Sequence, residues 1–168
     1  MPAPDAEALL AALAAALRGK VDADTGLVGI HSGGVWVAER LHDALELPLP
    51  IGTIDVAFYR DDYESRGLKA DVRPSAMPFE IDGRDVVLVD DVLNTGRTTR
   101  AALNVLFDYG RPARVRLATL VDRGGRELPI AADFVGGALA VPADDIVVLE
   151  RLADGRLSLA ITRSDGAA

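Results

Sequence analysis

The 168-residue chain has no cysteine, a single tryptophan and two histidines. Without thiols it has no disulfide framework, no thiolate nucleophile and no cysteine-ligated zinc site, so nothing in the composition argues for secretion and a cytoplasmic location is expected. Long apolar runs are missing too. The longest, Ala8 to Leu17, is too short to span a bilayer and follows no basic segment of the kind that opens a signal peptide, so no membrane partner is expected. Cations are outnumbered, with 18 Lys and Arg against 26 Asp and Glu and a formal net charge of -8. That balance disfavours generic RNA or DNA binding, whose non-specific affinity comes mostly from neutralising phosphates. Repeats, low-complexity tracts and linkers are also absent, so residues 1–168 read as a single domain. A hydrophobic fraction of 49% with 26% charged residues is globular composition, and a chain of this size buries roughly two-thirds of its unfolded surface.

What is present is an alternation of helix-length and strand-length segments. Helix 5–18 is followed by strand 27–31, helix 34–46, strand 51–58, strand 85–90, helix 97–109 and strand 114–122. This order predicts an α/β fold, with a central parallel sheet flanked by helices through right-handed crossovers. Leu9, Leu10, Leu13 and Leu17 share one side of the first helix, and Asp5 is its expected N-cap. After Asp122 the segments shorten, and strands near 133–135, 146–150 and 157–162 read as a small β-rich hood near 123–168. Residues 60–80 are charged, poor in aliphatics and end in Pro74 and Pro78. A stretch of that length reads as a flexible loop, a hairpin that closes over a site.

The most informative segment runs from Val86 to Thr99. Four consecutive aliphatics predict a strand buried on both faces, and Asp90 and Asp91 stand at its carboxyl end, where open α/β sheets bind ligands. Asn94-Thr95-Gly96 is turn chemistry, and a helix begins at Arg97. A loop that feeds a helix amino terminus presents unpaired N–H groups and a positive dipole end, which suits phosphate. The hydroxyls of Thr95, Thr98 and Thr99 can add donors. Two carboxylates beside a phosphate are placed instead to accept from sugar hydroxyls or to hold Mg2+ indirectly. Seven arginines lie between Arg97 and Arg126 against only Asp108 and Asp122, a local positive surplus that either attracts anions or forms a solvated face.

This segment resembles the phosphoribosyl pyrophosphate signature of the type I phosphoribosyltransferases. The resemblance implies that Asp90 and Asp91 hold the ribose hydroxyls and act in catalysis, and that Asn94, Thr95, Gly96, Arg97 and Thr98 bind the 5'-phosphate. A second strand–turn–helix element, Leu27 to Trp36, carries Ser32-Gly33-Gly34 in the slot where that family binds pyrophosphate, which assigns Ser32 and Gly33 to this role. His31 reads as a hydrogen-bonded structural residue and Trp36 as core or interface. A third element, Asp122-Arg123-Gly124-Gly125-Arg126-Glu127-Leu128-Pro129-Ile130, combines with Phe58 to Asp62 and the central signature to resemble the PyrR family over roughly residues 27 to 150.

That closer resemblance implies a type I phosphoribosyltransferase fold and Mg2+-dependent conversion of uracil and phosphoribosyl pyrophosphate to UMP and pyrophosphate. Arg60 and Arg126 are then expected to contact substrate, and Leu128, Ile130 and Val148 to receive the pyrimidine. No side chain is expected to ligate Mg2+ directly; substrate and water hold it, with Asp90 or Asp91 nearby. A homo-oligomer, dimer or tetramer, is expected as well. Two departures stand out. PyrR proteins commonly carry Thr-Arg-Gly where this chain has Ser32-Gly33-Gly34, leaving Mg2+, backbone N–H groups or a neighbour's arginine to neutralise the pyrophosphate. Residues 131–150 contain Asp133, Asp144, Asp145 and Glu150 but no Lys or Arg, which weakens the expectation of RNA binding. Three readings follow: an enzyme that makes UMP, an RNA-binding attenuator that senses UMP or UTP, and a catalytically weak nucleotide-binding protein.

Overall fold

The computed structural model describes residues 2–57 and 75–163. The elements run α1 (Ala6–Leu17), β1 (Gly26–Ile30), α2 (Gly33–Leu45), β2 (Gly52–Ile54), β3 (Asp85–Leu93), α3 (Arg97–Tyr109), β4 (Arg114–Asp122), β5 (Phe134–Ala138), β6 (Asp145–Arg151) and β7 (Leu157–Arg163). Five strands form one sheet in the order β2-β1-β3-β4-β5, and every pairing is parallel. β6 and β7 form a separate antiparallel pair. Residues 58–74, which hold Arg60 and most of the closing hairpin expected within 60–80, lie outside the described residues. Beyond that segment, Thr53 and Ala76 exchange backbone hydrogen bonds of 2.8 and 2.9 Å in an isolated antiparallel bridge.

The central strand shows why its sequence is a continuous apolar run. Val87 and Val89 belong to a core shared with α1, α2 and the β6–β7 pair, whereas Val86 and Leu88 belong to a second core with α3. Successive strand side chains point to opposite faces, so a strand covered on both sides has no polar face to spare. The two cores also define the winding. α2, after β1, covers one face and α3, after β3, covers the other, so the connections leaving β1 and β3 diverge and open a crevice between their carboxyl ends.

Two expectations are corrected. Strand β3 does not stop at Asp90; it continues to Leu93 because β4 is long enough to pair with it as far as Val92↔Val121 and Leu93↔Asp122. The acids therefore lie within the strand. The segment near 133–135 is no part of a hood: as β5 it extends the parallel sheet, its register set by Asp133, which accepts from the Leu117 N–H through its carboxylate (2.8 Å) and donates its own N–H to the Leu117 carbonyl (2.8 Å). Gly136 and Gly137 admit α1 closely there; a Cβ on Gly136 would stand 2.7 Å from the Leu9 carbonyl oxygen.

Helix α1 begins as its sequence requires, with the Asp5 carboxylate accepting from the Glu7 N–H at 3.0 Å, and it buries Leu10, Leu13 and Leu17. Glu7 then joins three elements. It takes a forked ion pair from Arg40 of α2 (2.7 and 3.0 Å) and the backbone N–H of Leu157 at the start of β7 (2.9 Å). The Arg40 guanidinium, followed by the Leu157 N–H, holds the Glu7 carboxyl below its ordinary value. A lowered folded-state pKa means stabilisation that is complete above the unfolded value and lost as pH falls through the folded one. Glu7→Gln should cost about 1 kcal/mol near neutral pH, as expected for a charge-assisted but partly exposed pair. Urea unfolding at neutral pH and at about pH 3 checks this: the gap between parent and variant should shrink in acid, and a gap that persists there contradicts the assignment.

Candidate active site

The crevice at the carboxyl ends of β1 and β3 is a cleft of about 670 Å³. Its lining includes His31 and Ser32 after β1, Asp90 to Gly96 along and beyond β3, Thr98 and Thr99 of α3, Arg123 after β4, and Ala143 to Leu149 leading into β6. Strand ends and loops from four elements thus meet at one sheet edge.

The two acids are fixed by backbone donors. Asp90, 5% exposed, accepts from the Asp91 N–H at 2.8 Å, and Asp91 accepts from the Val92 N–H at 2.7 Å. Carboxylates held this way need no reorganisation when a ligand arrives, which is the condition for strong electrostatic stabilisation. The Asp91 Oδ2 lies against Gly33, in the space a Cβ there would occupy. A larger side chain at Gly33 has no room there unless the Asp91 carboxylate moves. Gly33 itself stands behind Ser32 and does not line the cleft, and the His31–Ser32 peptide is cis.

Beyond Leu93 the chain turns through Asn94, Thr95 and Gly96. Gly96 adopts φ +92°, in the region that favours glycine, and caps α3. The Thr95 hydroxyl accepts from the Arg97 N–H at 3.2 Å. Thr99 is 3% exposed, and its Oγ1 has no hydrogen-bond partner although it borders the cleft. It is an unsatisfied buried polar group at the amino end of a helix, beside the cleft. The sequence placed Thr99 among the possible donors.

Besides Gly33, four residues expected to contact ligand do not line the cleft. Arg97 turns to Glu127 in an exposed pair of 3.0 Å and does not line the cleft. Arg126 is engaged by the protein: it grips Asp122 with two bonds (2.9 and 2.7 Å) and donates to the carbonyls of Asn94 (3.0 Å) and Ile130 (2.8 Å). Its guanidinium holds the Asp122 carboxyl below the usual range. Leu128 and Ile130 also lie outside the cleft lining. The Ile130 side chain backs the turn, its Cβ 3.0 Å from where a Cβ on Gly96 would sit, and the Leu128 N–H donates to the Thr95 carbonyl (3.2 Å). Val148 lines the cleft, as expected. Arg123 lines it too, unforeseen from sequence because its partners, the carbonyls of Asp145 and Pro142, lie about twenty residues away.

The fold and the cleft are those of a phosphoribosyltransferase, and comparison with known proteins agrees. The phosphoribosyl transferase domain model matches residues 3–153. The chain is 54% identical over 154 residues to Bifunctional protein PyrR of Pseudomonas paraeruginosa, covering 89% of this chain and 90% of that protein. With Bifunctional protein PyrR of Ralstonia nicotianae it shares 53% identity over 156 residues, covering 90% and 88%. Solved structures of a Bacillus anthracis hypoxanthine-guanine phosphoribosyltransferase (TM-score 0.65, 18% identity, 88% of each chain) and a Staphylococcus aureus hypoxanthine phosphoribosyltransferase (TM-score 0.62, 22% identity, 85% of this chain and 78% of that one) share the fold. The chain belongs to the PyrR family of the phosphoribosyl transferase domain proteins.

The geometry at Gly96 generates a direct test. A side chain there meets both a positive φ and the Ile130 Cβ and Cγ1 at 3.0 Å. Gly96→Ala should therefore cost about 1–2 kcal/mol of stability in urea unfolding. Parent-like stability would show that the turn relaxes freely.

Proposed function

We propose that the cleft converts uracil and phosphoribosyl pyrophosphate to UMP and pyrophosphate. The observation that carries this reading is one cleft that joins an orphaned Thr99 hydroxyl at a helix amino terminus to two backbone-pinned carboxylates and to a wall containing Val148. In that order along the cleft, the 5'-phosphate sits on the Asn94–Thr98 turn, the ribose over Asp90 and Asp91, the pyrophosphate against Ser32, and the pyrimidine beside Val148.

Transfer at the anomeric carbon passes through a transition state with oxocarbenium character, so the chain has little covalent work to do. It aligns two substrates and limits water, contributions that come from positioning. Asp90 and Asp91 accept from the ribose hydroxyls and stabilise the positive charge developing on the sugar. The donor set at the pyrophosphate end is hydroxyl and carboxylate oxygen, which suits Mg2+, and no group of three or more His, Asp or Glu side chains gathers around one point among the described residues. Mg2+, when bound, would supply neutralisation of the diphosphate leaving group; substrate and water would hold it, with Asp90 or Asp91 nearby. Gly33 adds no charge, so the chain's own donors there are backbone N–H groups and the Ser32 hydroxyl.

The relatives' designation as bifunctional favours a second role in RNA-dependent regulation of pyrimidine genes. The basic residues proposed for it are Arg100, Arg111, Arg114 and Arg116. Arg114 pairs with Asp85 at 2.8 Å and Arg116 stacks over Phe134 at 5.3 Å, while Arg100 and Arg111 remain exposed. RNA affinity is accordingly expected in the non-specific range of about 10⁻⁴ to 10⁻⁶ M at physiological salt. Filter binding that returns nanomolar, UMP-enhanced affinity would make the regulatory role primary. A homo-oligomer, dimer or tetramer, belongs to the same reading.

Asp90→Asn and Asp91→Asn test the enzymatic reading. Each should fold normally and lose about 10²-fold or more in turnover of uracil, the scale of one removed electrostatic contact to the transition state. Parent-like rates in both variants would refute the assignment.

A further inference from the structure

We infer that the turn after β4 is a two-sided brace in which Arg123 positions the base side of the cleft and Arg126 positions the phosphate side. The proposal rests on the reading above for what each side binds. The brace itself rests on hydrogen bonds.

Arg123 lies just after β4, and its backbone N–H donates to the Leu93 carbonyl at 3.0 Å, which ties it to the end of β3. Its guanidinium then crosses to the opposite wall. Nη1 donates to the Asp145 carbonyl at 2.6 Å and Nη2 to the Pro142 carbonyl at 3.0 Å. The Pro142 carbonyl also accepts from the Asp145 N–H at 3.0 Å, so the guanidinium closes over an existing turn. The residues within and after this turn, Ala143 to Leu149, are the wall that includes Val148. The strand pair behind it buries Val147, Leu149, Leu157 and Leu159 in the core and is tied at its far end by Glu7 at the Leu157 N–H and by Arg151 over the Trp36 ring at 5.1 Å. Arg123 is thus the side-chain tie at the cleft end of that wall.

Three residues further on, Arg126 ties the other side. Its bonds to the Asn94 and Ile130 carbonyls and to Asp122 fasten the Asn94–Gly96 turn, and the N–H groups of Glu127 and Leu128 add bonds to the Thr95 carbonyl at 2.9 and 3.2 Å. Between the two arginines, Gly124 and Gly125 adopt φ +72° and +79°, which reverses the chain and sends the two guanidinium groups to opposite partners. A non-glycine side chain at Gly125 would also stand 2.7 Å from the Asn94 Oδ1. The spacing Arg-Gly-Gly-Arg is therefore a structural device: one short turn sets the distance between two walls. Both arginines are positioning residues, since each acts through the backbone it holds.

The experiment compares the full-length parent with Arg123→Gln, Arg123→Lys and Arg126→Gln, using uracil and phosphoribosyl pyrophosphate as varied substrates and amide hydrogen exchange as a second readout. Arg123→Gln should raise KM for uracil about tenfold with KM for phosphoribosyl pyrophosphate nearly unchanged, and Arg126→Gln should do the reverse. Arg123→Lys, which keeps the charge but not the fork, should fall between parent and Arg123→Gln. Exchange should quicken at residues 142–149 in the first variant and at 94–98 in the last. A rise in KM for phosphoribosyl pyrophosphate in Arg123→Gln would instead mark a direct anion contact, and equal changes in both regions would mark a general loss of structure; either overturns the brace. If the parent fails to turn over uracil, the proposed reaction fails, while the crossed exchange pattern still decides the brace.

Discussion

Everything at the site depends on how far β3 and β4 stay paired. Their ladder runs from Asp85↔Arg114 to Leu93↔Asp122, past the point where β1 has ended at Ile30. That overhang is held on one side by the ladder to β4 and on the other by its own carboxylates, which take the Asp91 and Val92 N–H groups. It carries Asp90 and Asp91 out over the crevice on a strand, where a loop would have left them mobile, and it delivers the phosphate turn and the Arg123–Arg126 turn to neighbouring positions. Catalytic groups placed on regular elements are held more closely than groups on loops, a requirement for positional and electrostatic catalysis.

The charges around this overhang are arranged by the same economy. On the proposed reading a chain of net charge -8 receives a polyanionic substrate, and among the described residues the cleft lining contains Asp90, Asp91, Asp144 and Asp145 with a single arginine. That arginine binds carbonyls. Attraction of phosphate then falls to the amino end of α3 and to hydroxyls, while the carboxylates serve the sugar. Arg126 completes the pattern from outside the cleft: it pairs with Asp122, lowers that carboxyl's pKa and takes up the Asn94 carbonyl of the turn.

Elements whose burial is written as periodicity were legible in the sequence. Val86 to Val89, Leu117 to Val121 and the leucines of α1 each needed only their neighbours to declare a strand or a helix face. The turn into α3 was legible because Asn94-Thr95-Gly96 and the following threonines carry their chemistry locally. The placement of Arg126, Arg97, Leu128 and Ile130 outside the cleft lining was not, because a motif gives a residue's position in the chain and not the partners its side chain finds. Arg126 finds Asp122 four positions away but also Asn94, 32 positions away. The same holds for Gly33, which the Asp91 side chain crowds from another strand, and for residues 134–138, which are too short and glycine-rich to reveal that they complete the parallel sheet.

The central claim is that this cleft selects a pyrimidine and joins it to a phosphoribosyl group. Its most direct test is the initial rate of pyrophosphate release from phosphoribosyl pyrophosphate and Mg2+ across a panel of uracil, cytosine, orotate, adenine and hypoxanthine. The account predicts release that depends on uracil and yields UMP in equal amount. Efficient release with a purine or with orotate, and none with uracil, would contradict it.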